Sequence, residues 1–590
     1  MKSRDLRARA HETLAREVGH VRKPHGDRLR VALAFPNTYF VGMSSLGLQT
    51  VYALFNDRDD VVCERVFLPP RQDLAAQLAS GVRLFTLESQ TNVADFDVLA
   101  FSVSFEWDYT NVVSMLRLAG LPVHAGERTA RHPLVVIGGA VTFVNPEPLA
   151  PFADVIAAGE GEQLVGPLVE ATRGESSRAA VLSRLAPQPG FYVPSLYEVR
   201  YGEDGTLAGF VPAEGSGAPV PVRKAAVRAS ELREPPHTSI FTPDTEFGSR
   251  LLIEVVRGCA NLCRFCWAGY NYLPVRAFPA ARVLDIARVA RPHATRVGLV
   301  SIALCDHPEI EHILRELVGM GYGISPASLR LDDLTPPIVS LLQQSGERSI
   351  TIAPETGSDR LRRVINKTVT NEQILDRADL IFASGIENLK LYFMIGLPTE
   401  TDEDLVAIRD LTVQIRERML KHGRPRGRLG RIVGSVNPLI PKPATAFQWL
   451  PMEDPGLTDR KIKRLRALLS GLDNVYFNIK SERHSFYQAL LSLGDRRVAP
   501  AIEIAERNGG NWRAAVRDAG LEPEFYIFRD RSRDPVLPWD IIDGGLKPAF
   551  FRAEYEKSVR AEWTLGSGQG VSARELRDIP ASHVQGSDSA

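Results

Sequence analysis

Residues 257–269 read Arg-Gly-Cys-Ala-Asn-Leu-Cys-Arg-Phe-Cys-Trp-Ala-Gly, which places Cys259, Cys263 and Cys266 within eight consecutive positions. Only Cys63 and Cys305 complete the chain's five cysteines. A disulfide scaffold uses an even, dispersed set in an oxidising compartment, and this pattern is neither even nor dispersed. Tetrahedral zinc needs a fourth thiolate or an imidazole nearby, and the flanks of the triplet supply none. Three clustered thiolates suit a [4Fe–4S] cluster with three protein-bound irons, leaving the fourth iron open to a small chelating ligand.

Outward from the triplet, the pattern is α/β. Residues 251–256 form a β-type run that leads into the cysteine loop. Residues 281–290 then carry Val283, Ile286, Ala287 and Ala290 at the spacing of an amphipathic helix. Further strands are expected at 297–304, 323–331, 349–354, 388–396 and 431–439. Helical segments separate them, one opening at a capping box of Thr370 and Gln373, another at the acidic turn Asp402, Glu403 and Asp404. Six βα repeats argue for a parallel sheet with helices outside it.

The spacing Cys259-x3-Cys263-x2-Cys266, with aromatic Phe265 before the last cysteine, resembles the signature of the radical S-adenosylmethionine (radical SAM) superfamily. The resemblance implies that the three cysteines hold a [4Fe–4S] cluster and that its open iron takes the amino and carboxylate groups of SAM. One electron then cleaves SAM to methionine and a 5′-deoxyadenosyl radical. It also implies that Phe265 packs near the adenine and that the six repeats form an open, partial (βα)6 barrel.

Chemistry in barrel folds sits at the carboxyl ends of the strands. The SAM-contacting candidates there are Ser328 and Arg330 on the third strand and Glu355 after the fourth. Gly396, in a stretch similar to the family's Gly-rich fifth-strand motif, and Asn437 on the sixth complete the set. Arg330 can pair with a carboxylate such as that of methionine, and Glu355 can accept hydrogen bonds from ribose hydroxyls. Where the superfamily often has a GGE-like turn, this chain has Ala303-Leu-Cys-Asp-His307, so no contact is assigned there. Cys305 and His307 are expected to be polar rim fillers. No residue is assigned a catalytic role.

Before this core the rhythm is that of a doubly wound, flavodoxin-like domain, with strands at 29–35, 61–68, 96–104, 133–138 and 154–158. Ligands of such domains sit outside the carboxyl ends of the strands. Ser102, Ser104, Gly138, Gly139, Gly159 and Gly161 lie there, and small residues let a bulky ligand approach the backbone. A domain of this kind ahead of a radical SAM core resembles the cobalamin-binding domain of the B12-dependent radical SAM enzymes, which implies cobalamin at those six residues. The DxHxxG motif of many B12 proteins is absent, and residues 37–47 contain no histidine. Methylthiotransferases carry a second cluster on three amino-terminal cysteines. Cys63 alone excludes that site.

The 590 residues allow three or four domains. Lys+Arg and Asp+Glu number 71 each, which excludes a polyanion binder acting by bulk charge, and 44% hydrophobic residues exclude wholesale disorder. The basic stretches 424–431 and 461–466 read as solvated faces. No apolar run reaches membrane-span length and the first residues lack a secretory signal, so a cytoplasmic protein without membrane contact is expected. The expected organisation is a helical extension (1–28), a cobalamin-binding-like domain (29–186), a linker with a β-hairpin (187–246), the radical SAM core (247–452), a mostly helical region (453–565) and a disordered tail (566–590).

Stretches 353–367 and 437–449 resemble a radical SAM family with an amino-terminal B12-binding-like domain. This resemblance spans about residues 20 to 560 and implies architecture and cofactors but no substrate. The expected function is SAM cleavage serving cobalamin-dependent methylation of an unactivated carbon. The partners would be a reductase with flavodoxin or ferredoxin as electron donor and a small-molecule, protein or RNA substrate. The alternatives are a B12-independent radical SAM enzyme and a non-catalytic iron–sulfur protein.

Overall fold

The run Leu29–Phe35, apolar except for Arg30, forms β1, almost wholly buried because it lies inside a sheet covered on both faces. It pairs in parallel with β2 (Val61–Phe67) and β3 (Val98–Ser102). β4 (Leu134–Gly138) and β5 (Val155–Ala157) continue the parallel sheet, and β6 (Phe191–Tyr192) closes it antiparallel. The order β2-β1-β3-β4-β5 is that of a doubly wound flavodoxin-like sheet, with its crossover between β1 and β3. The computed structural model describes residues 3–564 apart from Ser176 and Ser328, so the expected tail and Ser328 lie outside the described residues.

Helix Leu46–Asn56, capped by the Ser45 hydroxyl accepting from the Leu48 N–H, packs beside helix Gly161–Thr172 on one face of the sheet. The expected hairpin forms from β7 (Tyr197–Tyr201) and β8 (Leu207–Pro212). The short strand β9 (Val222–Arg223) follows.

In the core, β10 (Leu251–Glu254) leads into the two-residue strand β11 (Val256–Arg257), which pairs antiparallel with β12 (Arg276–Ala277). β10, β13 (Arg296–Val300) and β14 (Gly323–Pro326) form a three-stranded parallel sheet. β15 (Ser349–Glu355), β16 (Asn388–Ile395), β17 (Ile432–Pro438) and β18 (Val475–Ile479) form a four-stranded one. The Leu329 N–H donating to the Thr351 carbonyl at 3.2 Å links the two sheets. Leu389, Leu391, Phe393 and Ile395 are fully buried towards the helices. The alternate residues Lys390 and Tyr392 are exposed on the inner face, as period-2 alternation requires. Helix Asn371–Ser384 starts at the expected Thr370/Gln373 capping box and ends at left-handed Gly385.

Two strand ends in the core and one added strand are the main differences from the sequence reading. The third strand stops at Pro326, because Arg330 turns to pair with Asp333 in a short 3₁₀ turn, Leu331–Asp333. The second stops at Val300, where the Ser301 hydroxyl accepts from the Ala303 N–H. A seventh parallel strand, β18, lies in the region expected to be mostly helical. Beyond it that region is helical, with Glu482–Leu493, Ala499–Arg507 and Pro548–Val559 its longest segments, and β19 (Ile542–Asp543) pairs with β9. Among the described residues no helix is long and apolar enough to cross a membrane.

Candidate functional site

The cysteine loop leaves β11 at Gly258, whose φ of +97° and whose Cβ position, 2.4 Å from the Tyr272 carbonyl, admit only glycine. The Cys266 N–H donates to the Cys263 carbonyl at 2.8 Å, and Asn366 Nδ2 donates to the carbonyls of Asn261 and Leu262. Cys259 and Cys263 are buried and Cys266 is half-buried. Burial pushes all three thiols up, Cys263 to about 12, and the neighbouring thiols add to the rise at Cys259 and Cys263. Lys367 works the other way at Cys263 and Cys266, and Arg330 does so at Cys259.

Three soft donors on one loop, with two half-buried cations beside them, fit a cluster whose thiolates bring net negative charge. No group of three His, Cys, Asp or Glu side chains among the described residues is placed to hold a single metal ion. A cubane does not require one, because each thiolate takes a different iron.

The SAM candidates gather unevenly around this loop. Phe265 packs on the apolar group of Leu361, Ile365, Leu397 and Phe447, with Met394 beside it. Asn437 is paired in register with Met394 at the carboxyl end of β17. Glu355, at a bulge with φ +65°, points its carboxylate at Lys367, 3.4 Å away, and burial pushes that carboxyl up. Arg330 reaches the loop through Asn261 at 3.1 Å, but its guanidinium is met by Asp306 at 2.7 Å and Asp333 at 3.1 Å. Gly396 donates its N–H to Glu400, which Lys461 neutralises at 2.6 Å. His307 is buried, its Nε2 at 2.7 Å from the Phe278 carbonyl, and Cys305 is half-buried with Sγ 3.6 Å from the Asp333 carbonyl.

A cavity of about 520 Å³ runs from the face of the amino-terminal sheet to the carboxyl ends of β10, β13 and β14. Ser102, Ser104, Gly138, Gly139, Gly159 and Gly161 all line it. Its barrel side is formed by Glu254, Arg257, Tyr272, Val300 and Ile302. This volume falls within the range of cofactor sites.

Two of the glycines have a reason other than a bulky ligand. A Cβ at Gly139 would lie 2.3 Å from the Val103 carbonyl oxygen, and one at Gly159 2.1 Å from that of Ala225. At Gly138 the nearest atom is at an ordinary 3.6 Å, so that position presents bare backbone to the cavity. Residues of this kind fit an extended cofactor held by shape, and among the described residues no histidine lines the cavity.

A charged network in the cavity wall was not foreseen from the sequence. Buried Arg257 meets Glu160 at 2.9 Å, Glu162 at 2.8 Å and Glu254 at 2.8 Å, and Arg276 meets Glu160 at 2.6 Å. Burial raises Glu160, and the two guanidiniums more than offset it, holding the carboxyl low. Glu254 stays raised by burial despite Arg257. The signal available in the sequence was the pair of acids in Gly159-Glu-Gly-Glu162, noted there only for its glycines.

Residues 47–194 match the family described as radical SAM proteins, N-terminal, and residues 253–412 match the radical SAM superfamily. An uncharacterized protein of Methanocaldococcus jannaschii is 28% identical over 507 residues, covering 85% of this chain and 97% of its own. The tRNA-2-methylthio-N(6)-dimethylallyladenosine synthase of Aeromonas salmonicida is 23% identical over 371 residues, covering 59% and 69%. Among solved structures, the radical SAM methyltransferase TsrM from Kitasatospora setae shares the fold with a TM-score of 0.51 at 13% identity, covering 83% of this chain and 99% of TsrM. The cysteine triplet, the parallel half-barrel behind it and these matches lead to one assignment: the chain is a radical SAM enzyme and belongs to that superfamily.

Proposed function

We propose that the protein holds a [4Fe–4S] cluster on Cys259, Cys263 and Cys266, cleaves SAM, and uses cobalamin in the inter-sheet cavity to methylate an unactivated carbon of its substrate. The carrying observation is that one cavity joins the carboxyl ends of the amino-terminal sheet to those of the barrel. When bound, the cluster supplies the electron that splits SAM into methionine and a 5′-deoxyadenosyl radical, and cobalamin supplies a transferable methyl group.

The chain's own residues bind and orient. With Cys259 and Cys263 buried and Cys266 half-buried, the loop would keep bulk water from iron held there, and Lys367 and Arg330 would balance the charge around the thiolates. Phe265 and Leu397 offer an apolar seat for a flat base, and Glu355 a carboxylate for hydroxyls. The apolar cavity wall keeps water from a carbon radical, while the Arg257 network fixes the two halves of the cavity relative to each other. TsrM is itself described as a methyltransferase with tryptophan and a SAM analog bound, which supports a transferase reading. The methylthio reaction of the Aeromonas enzyme fits less well, because Cys63 is fully buried in β2. An external one-electron donor of the flavodoxin or ferredoxin class completes the system.

The test is anaerobic reconstitution with iron and sulfide, followed by reduction in the presence of SAM and titration with hydroxocobalamin. The expected results are release of 5′-deoxyadenosine and a saturable change in the visible spectrum. Absence of the nucleoside rejects the enzyme reading. A second reading, radical SAM chemistry without cobalamin, draws on a cavity lining with no histidine among the described residues. Nucleoside formation with no retained corrinoid selects it.

A further inference from the structure

Arg264 sits inside the cysteine triplet, between Cys263 and Phe265, and its side chain is fully buried. It points away from the thiols towards the carboxyl-terminal part of the chain. Nε donates to Glu554 Oε2 at 3.2 Å, and Nη2 to the Glu562 carbonyl at 2.8 Å and the Thr564 hydroxyl at 3.1 Å. Nη1 donates to the carbonyls of Arg363 at 2.8 Å and Val364 at 3.0 Å. The Thr564 hydroxyl donates in turn to Glu554, whose other oxygen takes Lys557 at 2.8 Å.

A second path joins the same partners. The Thr564 N–H donates to Asn366 Oδ1 at 3.1 Å, and Asn366 Nδ2 donates to the Asn261 and Leu262 carbonyls inside the triplet. A third is apolar. Phe551 of helix Pro548–Val559 packs on Tyr270 with ring centroids 5.4 Å apart, and the Tyr270 hydroxyl donates to the Leu262 carbonyl at 3.2 Å. Residues 551–564 therefore touch the loop carrying the thiols from several sides. A buried guanidinium loses heavily when its carboxylate is removed, because its charge is then unmatched away from water.

We infer that residues 554–564 form a strap that holds the cysteine triplet closed around its cluster, with Glu554 and Thr564 as positioning residues acting through Arg264. This rests on the reading of the triplet as cluster ligands. The strap limits how often the loop opens, and loop opening is the step by which chelators and oxygen reach iron.

The experiment uses full-length wild type, Glu554→Gln and Thr564→Val, each first shown to melt cooperatively. In the apo proteins, hydrogen exchange is followed at the amides of residues 261–266. In the anaerobically reconstituted proteins, iron release to a ferrous chelator and the EPR spectrum of the reduced cluster are recorded. Glu554→Gln should raise exchange and iron release about tenfold and alter the EPR line shape, with Thr564→Val changing both rates in the same direction. Val61→Ala, on the distant amino-terminal sheet, should change none of the three. Exchange and release at wild-type rates in both strap variants overturn the inference, as does an equal acceleration by Val61→Ala. A wild type that exchanges slowly yet takes up no iron overturns the cluster reading, and the guarding role falls with it.

Discussion

Arg257 and Glu160 meet at 2.9 Å although one stands two residues before the first cysteine and the other just after the last parallel strand of the amino-terminal sheet. Both are buried, and Glu162 and Glu254 share the same guanidinium. The pair fixes the two walls of the cavity across which the cofactors would face each other. Arg257→Gln leaves the part-buried Glu254 and Glu162 without a cation while Glu160 keeps Arg276, so it should cost about 1–3 kcal/mol in urea unfolding. Glu162→Gln, at a more exposed position, should cost far less. Equal costs would place the weight of the network elsewhere.

Removing one thiol tests the triplet directly. Cys263→Ala should assemble with a clear deficit of iron and should release no 5′-deoxyadenosine above background, while its far-ultraviolet spectrum stays that of the wild type. Nucleoside formation at the normal rate would rule out Cys263 as a ligand.

The glycines at the cavity separate into two kinds. Gly138→Val fits its Cβ at ordinary contact, 3.6 Å from the nearest atom, and adds bulk to a residue that lines the cavity. This variant should fold normally and bind hydroxocobalamin at least about tenfold more weakly in an absorbance titration, as filling a preformed pocket demands. Gly159→Val drives its Cβ against a carbonyl oxygen at 2.1 Å and should yield little folded protein. Unchanged corrinoid affinity in Gly138→Val would move the site out of this cavity.

Asp108 gives a pH dependence whose sign is fixed. Burial raises its carboxyl from the usual 3.8 to about 6, although Asn37 and Asn111 donate to it at 2.9 and 3.1 Å. The folded state therefore holds the proton more tightly than the unfolded one. The resulting stability is fully present below about pH 4 and is lost as pH rises through about 6. Asp108→Asn should stabilise the protein by about 2–3 kcal/mol at pH 7.5, with the gain vanishing towards pH 4 in denaturant titrations. A gain independent of pH would assign the effect to packing.

The regular parts of the fold were legible because their burial is periodic. β1 is apolar without interruption from Val31 to Phe35, and helix Asn371–Ser384 announces itself with its capping box. β18 was not, because Tyr476 and Asn478 point to the open inner face and leave only three apolar residues between two helices. At the candidate site, the cysteine triplet stands out in the sequence by its spacing. The partners of Arg257 and Arg264 were not, since Glu162 lies 95 residues before Arg257 and Glu554 lies 290 after Arg264. Arg330 was read as a free anion receptor, and nothing local in its sequence signals that Asp306 also reaches it.

The interval of 290 residues between Arg264 and Glu554 has a consequence for biogenesis. During synthesis the thiols emerge long before the segment that covers them, so a nascent chain presents three reactive sulfurs on an unfastened loop. If the triplet holds the proposed cluster beneath the proposed strap, iron–sulfur delivery would have to reach the polypeptide in that early window or wait for the strap to open after translation. Maturation in oxygen would then depend on how quickly the last helices dock.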